Sequence, residues 1–197
     1  MKHLAICVLL FAGVAAAAPP VRILIAYHSQ TGNTEKLAMA VRDGAASVPE
    51  VEVALRKVSE ASAEDIVKAD GLAIGTPVHW GNLSAETKSF LDRVGAALGL
   101  GKKGATFGEG RMAGVFCTAG GPAGGQDTAR LSIIAALLHM RFVIAGGVSG
   151  DGYGELGPQA IAGGAPGGLG KNDLDDARRF GERLARLTRQ FRNGAGK

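Results

Sequence analysis

Strand-like and helix-like segments alternate along this sequence, and the alternation constrains the fold more than any other feature. Each strand-like segment is a short run of Val, Ile, Leu and Ala, such as VRILIAY at residues 21–27. A run that is apolar at successive positions is typical of a strand buried on both faces. Helical spacing follows, for example at Leu37, Ala38, Val41 and Ala45. This pattern predicts a parallel sheet with helices on both of its faces.

The predicted sheet has five strands, and the order of the elements indicates where a ligand would bind. We place the strands at residues 21–27, 51–57, 71–76, 111–117 and 142–145, and the helices at residues 34–46, 63–69, 84–98, 126–140 and 172–192. Asn172 is a favourable N-cap residue for the last helix. In an open α/β sheet, ligands bind at the carboxyl ends of strands where the strand order reverses. The loops at those ends are therefore expected to form the site.

The N-terminal segment has the pattern of an export signal. Lys2 is followed by an apolar run and then by Ala15, Ala16 and Ala17, which are small residues suited to cleavage. The alternative is an uncleaved anchor, but about 15 apolar residues span only ~22 Å of a ~30 Å hydrocarbon core. We expect residues 1–17 to be a signal peptide, residues 18–197 to be the domain, and the protein to be periplasmic or secreted. After removal of the signal we expect no integral membrane segment.

The charge and cysteine content exclude several classes of partner. The formal net charge is only +4, which is too small to indicate nucleic-acid binding. Cys7 lies in the predicted signal, so Cys117 is the one cysteine of the predicted mature domain and no intramolecular disulfide forms. Because Cys117 ends an apolar strand, a small core residue is a better interpretation than a reactive thiol.

The loop between the first strand and the first helix carries the strongest chemical signal. It contains Ser29, Gln30, Thr31, Gly32, Asn33 and Thr34. Hydroxyl groups and the backbone N–H groups of a helix N-terminus can together hold a phosphate, and glycine permits the tight backbone path. The loop has no Lys and therefore does not match the triphosphate-binding pattern. A terminal phosphomonoester is the predicted ligand. The simpler alternative is an ordinary strand-to-helix turn.

These residues resemble the flavodoxin-like family, in which a strand is followed by S/T-x-T-G-N-T and the loop holds the phosphate of FMN. Two further stretches resemble the WrbA type of NAD(P)H:quinone oxidoreductase: Gly75-Thr76-Pro77-Val78-His79-Trp80-Gly81-Asn82, and the tail from Tyr153-Gly154 to Ala162-Gly163-Gly164. The resemblance covers almost everything after the predicted signal. It implies a flavodoxin-like, doubly wound α/β fold with a five-stranded parallel sheet of strand order 2-1-3-4-5.

The resemblance also implies which residues hold FMN. The phosphate would lie in the loop Ser29–Thr34. The isoalloxazine ring would be bordered by Thr76, Pro77, Val78, His79 and Trp80, with Gly81 and Asn82 completing that loop. Thr118, Ala119, Gly120 and Gly121 would contact the pyrimidine edge, where backbone N–H groups can approach the flavin oxygens.

Histidines are the weakest part of the predicted site. His79 and His139 are candidate acid or base groups, but for each a structural role is equally compatible with the sequence. His28 lies at a strand end and is expected to be buried. The scattered His, Asp and Glu residues suggest no metal site.

The leading functional hypothesis is an FMN-dependent NAD(P)H dehydrogenase that reduces a quinone-like acceptor by two electrons. One alternative is a flavodoxin-type electron carrier without nicotinamide turnover. Another is an exported binding module that holds no flavin. WrbA-type proteins are commonly oligomeric, so the resemblance implies a homodimer or homotetramer, with the long glycine-rich segment at residues 146–170 as the expected contact region.

Overall fold

The computed structural model describes residues 19–103, 108–147, 154–163 and 168–194 of the chain. Within these ranges seven strands form one sheet: β1 (Val21–Tyr27), β2 (Val51–Lys57), β3 (Gly71–His79), β4 (Asn82–Leu83), β5 (Met112–Ala119), β6 (Val143–Ile144) and β7 (Gln159–Ile161). The helices in the same ranges are α1 (Asn33–Ala46), α2 (Ala63–Lys68), α3 (Ala85–Ala97), α4 (Gln126–His139) and α5 (Lys171–Gly194).

The main path of the sheet runs β2-β1-β3-β5-β6, and each neighbouring pair on it is parallel. β4 is not on this path, so β5 and β6 correspond to the fourth and fifth predicted strands and the path is the predicted order 2-1-3-4-5. The doubly wound α/β arrangement is confirmed. The chain crosses from β1 outward to β2 and then back past β1 to β3. The strand order therefore reverses between β1 and β3, and the carboxyl ends of these strands meet there.

Helices cover both faces of the sheet, as the apolar pattern predicts. On one face, Leu37 of α1 and Phe180 of α5 belong to a single buried cluster with Ile23 and Ile25 of β1. The other face is covered by α2, α3 and α4, whose apolar residues pack in a second buried cluster: Ile66, Phe90, Leu91, Val94, Ile133 and Leu137. Successive side chains of β1 point into opposite clusters, which is why its apolar run is nearly continuous.

The fifth strand is predicted as one segment at residues 142–145, but in the structure two short strands occupy this edge of the sheet. β6 pairs with the start of β5, where Val143 lies opposite Met112, and β7 pairs with its end, where Gln159 lies opposite Cys117. Both pairings are parallel. β6 is much shorter than β5, so the remaining backbone N–H and C=O groups of β5 need another partner, and β7 supplies it. Part of the predicted irregular segment at residues 146–170 is therefore sheet.

Two further boundaries differ from the sequence predictions. β3 continues to His79 because it turns back as an antiparallel hairpin with β4, in which Val78 pairs with Leu83 and His79 with Asn82. The last helix begins at Lys171, so the prediction that Asn172 is its N-cap is wrong. The N–H of Gly170 instead donates to Asp173 Oδ2 at 2.8 Å, which caps the helix from inside its first turn.

The predicted signal peptide, residues 1–17, and the tail residues Tyr153 and Gly164 lie outside the described residues. The export and cleavage predictions therefore stay predictions. Among the helices that the structure describes, none is both long enough and apolar enough to cross a membrane.

Candidate functional site

The loop after β1 places a helix N-terminus at the edge of the sheet. Gly32 is the N-cap of α1 and has a left-handed backbone with φ of 86°. Its own N–H donates to Ser29 Oγ at 3.1 Å, and Asn33 Nδ2 donates to Thr31 Oγ1 at 3.1 Å. No side chain caps α1, and the space beside Gly32 is open. The first-turn N–H groups of α1 are therefore free of a side-chain cap and can donate hydrogen bonds to an anion bound at this end of the helix.

The hydroxyl groups of this loop differ in exposure. Thr31 is exposed and Ser29 is half-buried, so both can reach a ligand. Thr34 is only 1% exposed, and its Oγ1 lies 2.7 Å from Oγ1 of the buried Thr118 at the end of β5. The Thr34 hydroxyl thus links the loop after β1 to the loop after β5.

The second predicted segment is a hairpin loop that projects from the sheet. Trp80 and Gly81 form its two-residue turn, with φ of 50° and 80°. Positive φ at both positions is the conformation favoured between two antiparallel strands, although a bulky residue at the first position is unusual. The Trp80 side chain is fully exposed, and Pro77, Val78 and His79 are half-buried.

Thr76 faces the interior, in contrast to the rest of the hairpin loop. It is fully buried, and its Oγ1 accepts hydrogen bonds from Ser84 N and Thr87 Oγ1, both at 3.1 Å. Ser84 Oγ in turn lies 2.9 Å from Thr87 Oγ1. These hydroxyls fix the hairpin to the first turn of α3, so the Thr76 side chain supports the site from behind.

The third loop (residues 118–125) packs directly against the hairpin. Thr118 and Ala119 are buried at the end of β5, whereas Gly120 is exposed and Gly121 half-buried. Gly125 is the N-cap of α4, with φ of 93°, and a Cβ placed there would overlap the backbone of Gly81. Because only glycine permits this approach, the turn of the hairpin and the start of α4 form one continuous edge.

His28 joins the hairpin to the loop after β1. Its backbone N–H donates to the carbonyl of Gly75 at 3.1 Å, and its Nδ1 lies 2.9 Å from Ser84 Oγ. The His28 and His79 rings meet edge to face with centroids 5.7 Å apart, and Glu86 Oε2 lies 3.4 Å from His28 Nδ1. Burial, followed by a smaller effect of His79, lowers the pKa of His28, while Glu86 opposes the shift. His28 is therefore neutral at pH 7.

Two adjoining cavities border these groups. One, of about 530 Å³, is lined by His28, Gln30, Val78, His79, Trp80 and Glu86. The other, of about 570 Å³, lies towards β2 and α3 and shares His28 and Glu86 with the first. The first cavity brings together residues of the loop after β1 and of the hairpin, and its volume is within the range typical of small-molecule sites.

Of the candidate site residues, His139 does not take part in this arrangement. His139 is the last residue of α4, so the helix separates it from the third loop by roughly 20 Å. Cys117 is fully buried, and burial raises its pKa to about 12. Its interpretation as a small core residue is confirmed. Within the described residues, no three His, Cys, Asp or Glu side chains converge as metal ligands would.

The sequence model of the family described as NADPH-dependent FMN reductase matches residues 19–154. The chain belongs to this family. It is 35% identical over 181 residues to a flavodoxin of Aquifex aeolicus, covering 88% of this chain and 90% of the relative. It is 29% identical over 206 residues to an NAD(P)H dehydrogenase (quinone) of Solidesulfovibrio magneticus, covering 86% of this chain and 98% of the relative.

Solved structures agree with the family assignment at the level of the fold. A flavodoxin, WrbA-like protein from Agrobacterium tumefaciens superimposes with a TM-score of 0.68 at 22% identity, covering 86% of this chain and 98% of that one. A flavodoxin from the domain Archaea gives a TM-score of 0.67 at 18% identity, with coverage of 86% and 99%. The predicted flavodoxin-like fold is confirmed.

Membership of this family implies that the chain binds FMN as its cofactor, and the sheet edge described above fits FMN. The uncapped N-terminus of α1 and the accessible hydroxyls of Ser29 and Thr31 suit a phosphate dianion. The adjoining cavity beside the hairpin offers the half-buried side chains of Val78 and His79 and the exposed Trp80 as surface for a ring system. The loop after β1 would hold the phosphate and the hairpin would border the ring. The third loop would contact the polar edge of the ring.

The structure adds residues that sequence reasoning did not select. Glu86 lines the same cavity as His79 and Trp80, although it follows the hairpin motif in sequence. Its position in the first turn of α3, just after the Ser84 N-cap, is the signal that could have indicated it, since acidic residues favour helix N-termini. Gln126 of α4 contacts the third loop, and the buried Arg130 of the same helix contacts Gln126. No sequence pattern indicated either residue.

Proposed function

We propose that this FMN-binding oxidoreductase transfers two electrons from NAD(P)H to a quinone-like acceptor. The bound flavin supplies the hydride-accepting and hydride-donating chemistry, and the chain positions it. Support comes from membership of the NADPH-dependent FMN reductase family and from the relative named NAD(P)H dehydrogenase (quinone). The observation that carries the proposal is that neither of the two loops predicted to border the ring contains a charged residue.

The hairpin loop and the third loop contain no charged residue between positions 75 and 84 or between 118 and 126. Carboxylates beside a flavin would oppose the negative charge that it gains on full reduction. Here the uncharged third loop instead leads into the uncapped N-terminus of α4, whose N–H groups carry partial positive charge. This environment favours complete, two-electron reduction.

With the flavin ring in the cavity of about 530 Å³ beside the hairpin, the outward face of the ring would be open next to the exposed Trp80. A nicotinamide and then a planar acceptor would use that face in turn. The Trp80 ring offers stacking area at this opening. Use of one face by both substrates predicts ping-pong kinetics.

The electron-carrier alternative has one specific observation in its favour. Glu86 brings a carboxylate to the cavity that the hairpin sequence did not reveal. The N–H of its own residue lowers its pKa, so it is ionised at neutral pH. The relative named flavodoxin also supports this alternative. Glu86 lies beside His28, whereas the hairpin loop and the third loop themselves contain no charged residue.

A spectrum and a turnover assay test these hypotheses. Protein purified from its own compartment should show flavin absorption, and the FMN-loaded protein should oxidise NADH or NADPH with benzoquinone as acceptor and with parallel reciprocal plots. Bound flavin without NAD(P)H oxidation would favour the carrier. Protein that carries no flavin and does not take it up would favour the binding module.

We propose in addition that the protein is exported after cleavage near Ala18 and that it forms a homodimer or homotetramer. The first proposal rests on the pattern of residues 1–17, and intact mass of the exported protein tests it. The second rests on the resemblance to WrbA-type proteins, and native mass of the FMN-loaded protein tests it. A retained Met1 would contradict the first, and a monomer would contradict the second.

A further inference from the structure

Arg130 is a buried arginine that sequence reasoning did not select. It lies in the second turn of α4, and its side chain is 5% exposed. Its Nε donates to the carbonyl of Gln126 at 3.4 Å and one terminal nitrogen to Gln159 Oε1 at 2.9 Å. The guanidinium also contacts the carbonyl of Gly157 and the carboxylate of Asp127. One side chain thus joins the start of α4 to β7.

Gln126 extends this set of contacts to the third loop. It is the first residue of α4 and is buried. Its side-chain Nε2 donates to the carbonyl of Gly121 at 2.9 Å and lies 3.4 Å from that of Pro122. Two carbonyls of a glycine-rich loop are therefore turned towards Gln126. The Gln126 backbone is in turn held by Arg130, so the two side chains act in series.

The geometry of arginine suits this role and that of lysine does not. A guanidinium is a planar fork with five N–H donors, whereas an ammonium is a compact charge on a flexible stem. Three of the Arg130 partners are neutral oxygens on separate elements, and its charged partner Asp127 is 75% exposed. Solvent screens that ion pair, so the fixed directions of the hydrogen bonds matter more than the charge.

We infer that Arg130 is a positioning residue for the flavin site: by holding Gln126 and β7, it fixes the part of the third loop at Gly121 and Pro122. The inference rests on the proposed assignment of this loop to the pyrimidine edge of FMN. Loss of Arg130 removes a hydrogen bond to the backbone carbonyl of Gln126 and leaves the buried carbonyl of Gly157 without its donor. The loop then samples several conformations, and FMN binding must select one of them.

The test compares three variants of the full-length protein with a matched control. Arg130→Met removes the fork and the charge, Arg130→Lys keeps the charge, and Gln126→Leu removes the contact with the loop. Arg183→Met is the control, because Arg183 Nε also donates to a backbone carbonyl, that of Gly146 at 3.0 Å, away from the third loop. We measure the FMN dissociation constant, and hydrogen–deuterium exchange of residues 118–126 in the FMN-free protein.

Arg130→Met and Gln126→Leu should each weaken FMN binding by about tenfold, because binding must then order the loop that these side chains hold in the unsubstituted protein. The double variant should show less than the product of the two effects. Arg130→Lys should not restore affinity, and Arg183→Met should stay within about twofold of the unsubstituted protein. Faster exchange of residues 118–126 should accompany only the Arg130 and Gln126 variants.

Three results would overturn the inference: unchanged FMN affinity and unchanged loop exchange in Arg130→Met, full recovery in Arg130→Lys, or the same loss in Arg183→Met. If the unsubstituted protein fails to bind FMN, the proposed function fails, and the exchange measurement alone still decides whether Arg130 orders the loop.

Discussion

Replacement of Thr118 by Val should destabilise the protein because it removes the hydrogen-bond partner of the buried Thr34 hydroxyl. Oγ1 of Thr118 and Oγ1 of Thr34 are 2.7 Å apart. They are 4% and 1% exposed, so water cannot take the place of a missing hydroxyl. Thr118→Val leaves the Thr34 hydroxyl buried without the partner that it has in the structure. Thr34→Val does the same to Thr118.

The expected magnitude follows from the difference between breaking a buried hydrogen bond and removing it entirely. A buried polar group left without its partner costs about 1–3 kcal/mol, whereas replacing both partners by apolar groups of the same shape is nearly neutral. Each single variant should therefore lower the free energy of unfolding by about 1–3 kcal/mol. The double variant should lose clearly less than the sum, which gives a coupling energy of about 1–2 kcal/mol.

Urea unfolding of the FMN-free protein measures these free energies, provided that the m-value is the same for all variants. Thr188→Val is a matched control, because Thr188 is also buried but bonds to the carbonyl of Leu184 within α5. It should show no coupling to Thr118→Val. Additive effects of the Thr34 and Thr118 substitutions, within about 0.3 kcal/mol, would refute the argument that these hydroxyls join the two loops.

Gly125→Ala should weaken FMN binding and stability more than Gly110→Ala, because both glycines have positive φ but only Gly125 touches the hairpin backbone; equal effects would contradict the close packing. Thr31→Ala should weaken FMN binding by about ten- to a hundredfold in fluorescence titrations, and unchanged affinity would remove Thr31 from the phosphate site. Cys117 should resist thiol reagents in the native protein and react in urea, since burial raises its pKa to about 12. Burial holds the pKa of His28 in the folded protein below its ordinary 6.5, so the free energy of unfolding should fall as the pH drops through about 6.5. The fall should be smaller in His28→Asn, and an identical pH profile of stability in that variant would contradict the argument.

The fold could be predicted from the sequence because its signals are local and repeated. The apolar run of β1 and the helical spacing of α1 each depend on a few neighbouring residues, and their alternation fixes the class of sheet. Divided pairing along β5 was less predictable. β6 and β7 fill the same edge from segments separated by residues 145–158, and only long-range backbone pairing determines that arrangement.

The candidate site was predictable as loops and less so as side-chain roles. Ser29 to Thr34 form a continuous motif, and the structure places them at the N-terminus of α1 as expected. The inward orientation of Thr76 and the distance of His139 from the third loop depend on tertiary packing, which spacing alone does not reveal. The same is true of Glu86 and Arg130, because the fold alone brings Glu86 next to His28 and Arg130 next to Gln159.

A redox titration of the FMN-loaded protein tests two-electron chemistry most directly. The uncharged hairpin and third loop predict one transition in which the bound FMN takes up two electrons together. NAD(P)H should reduce this FMN without any other protein present. Two well-separated one-electron transitions, with no reduction by NAD(P)H, would contradict the reductase and establish an electron carrier.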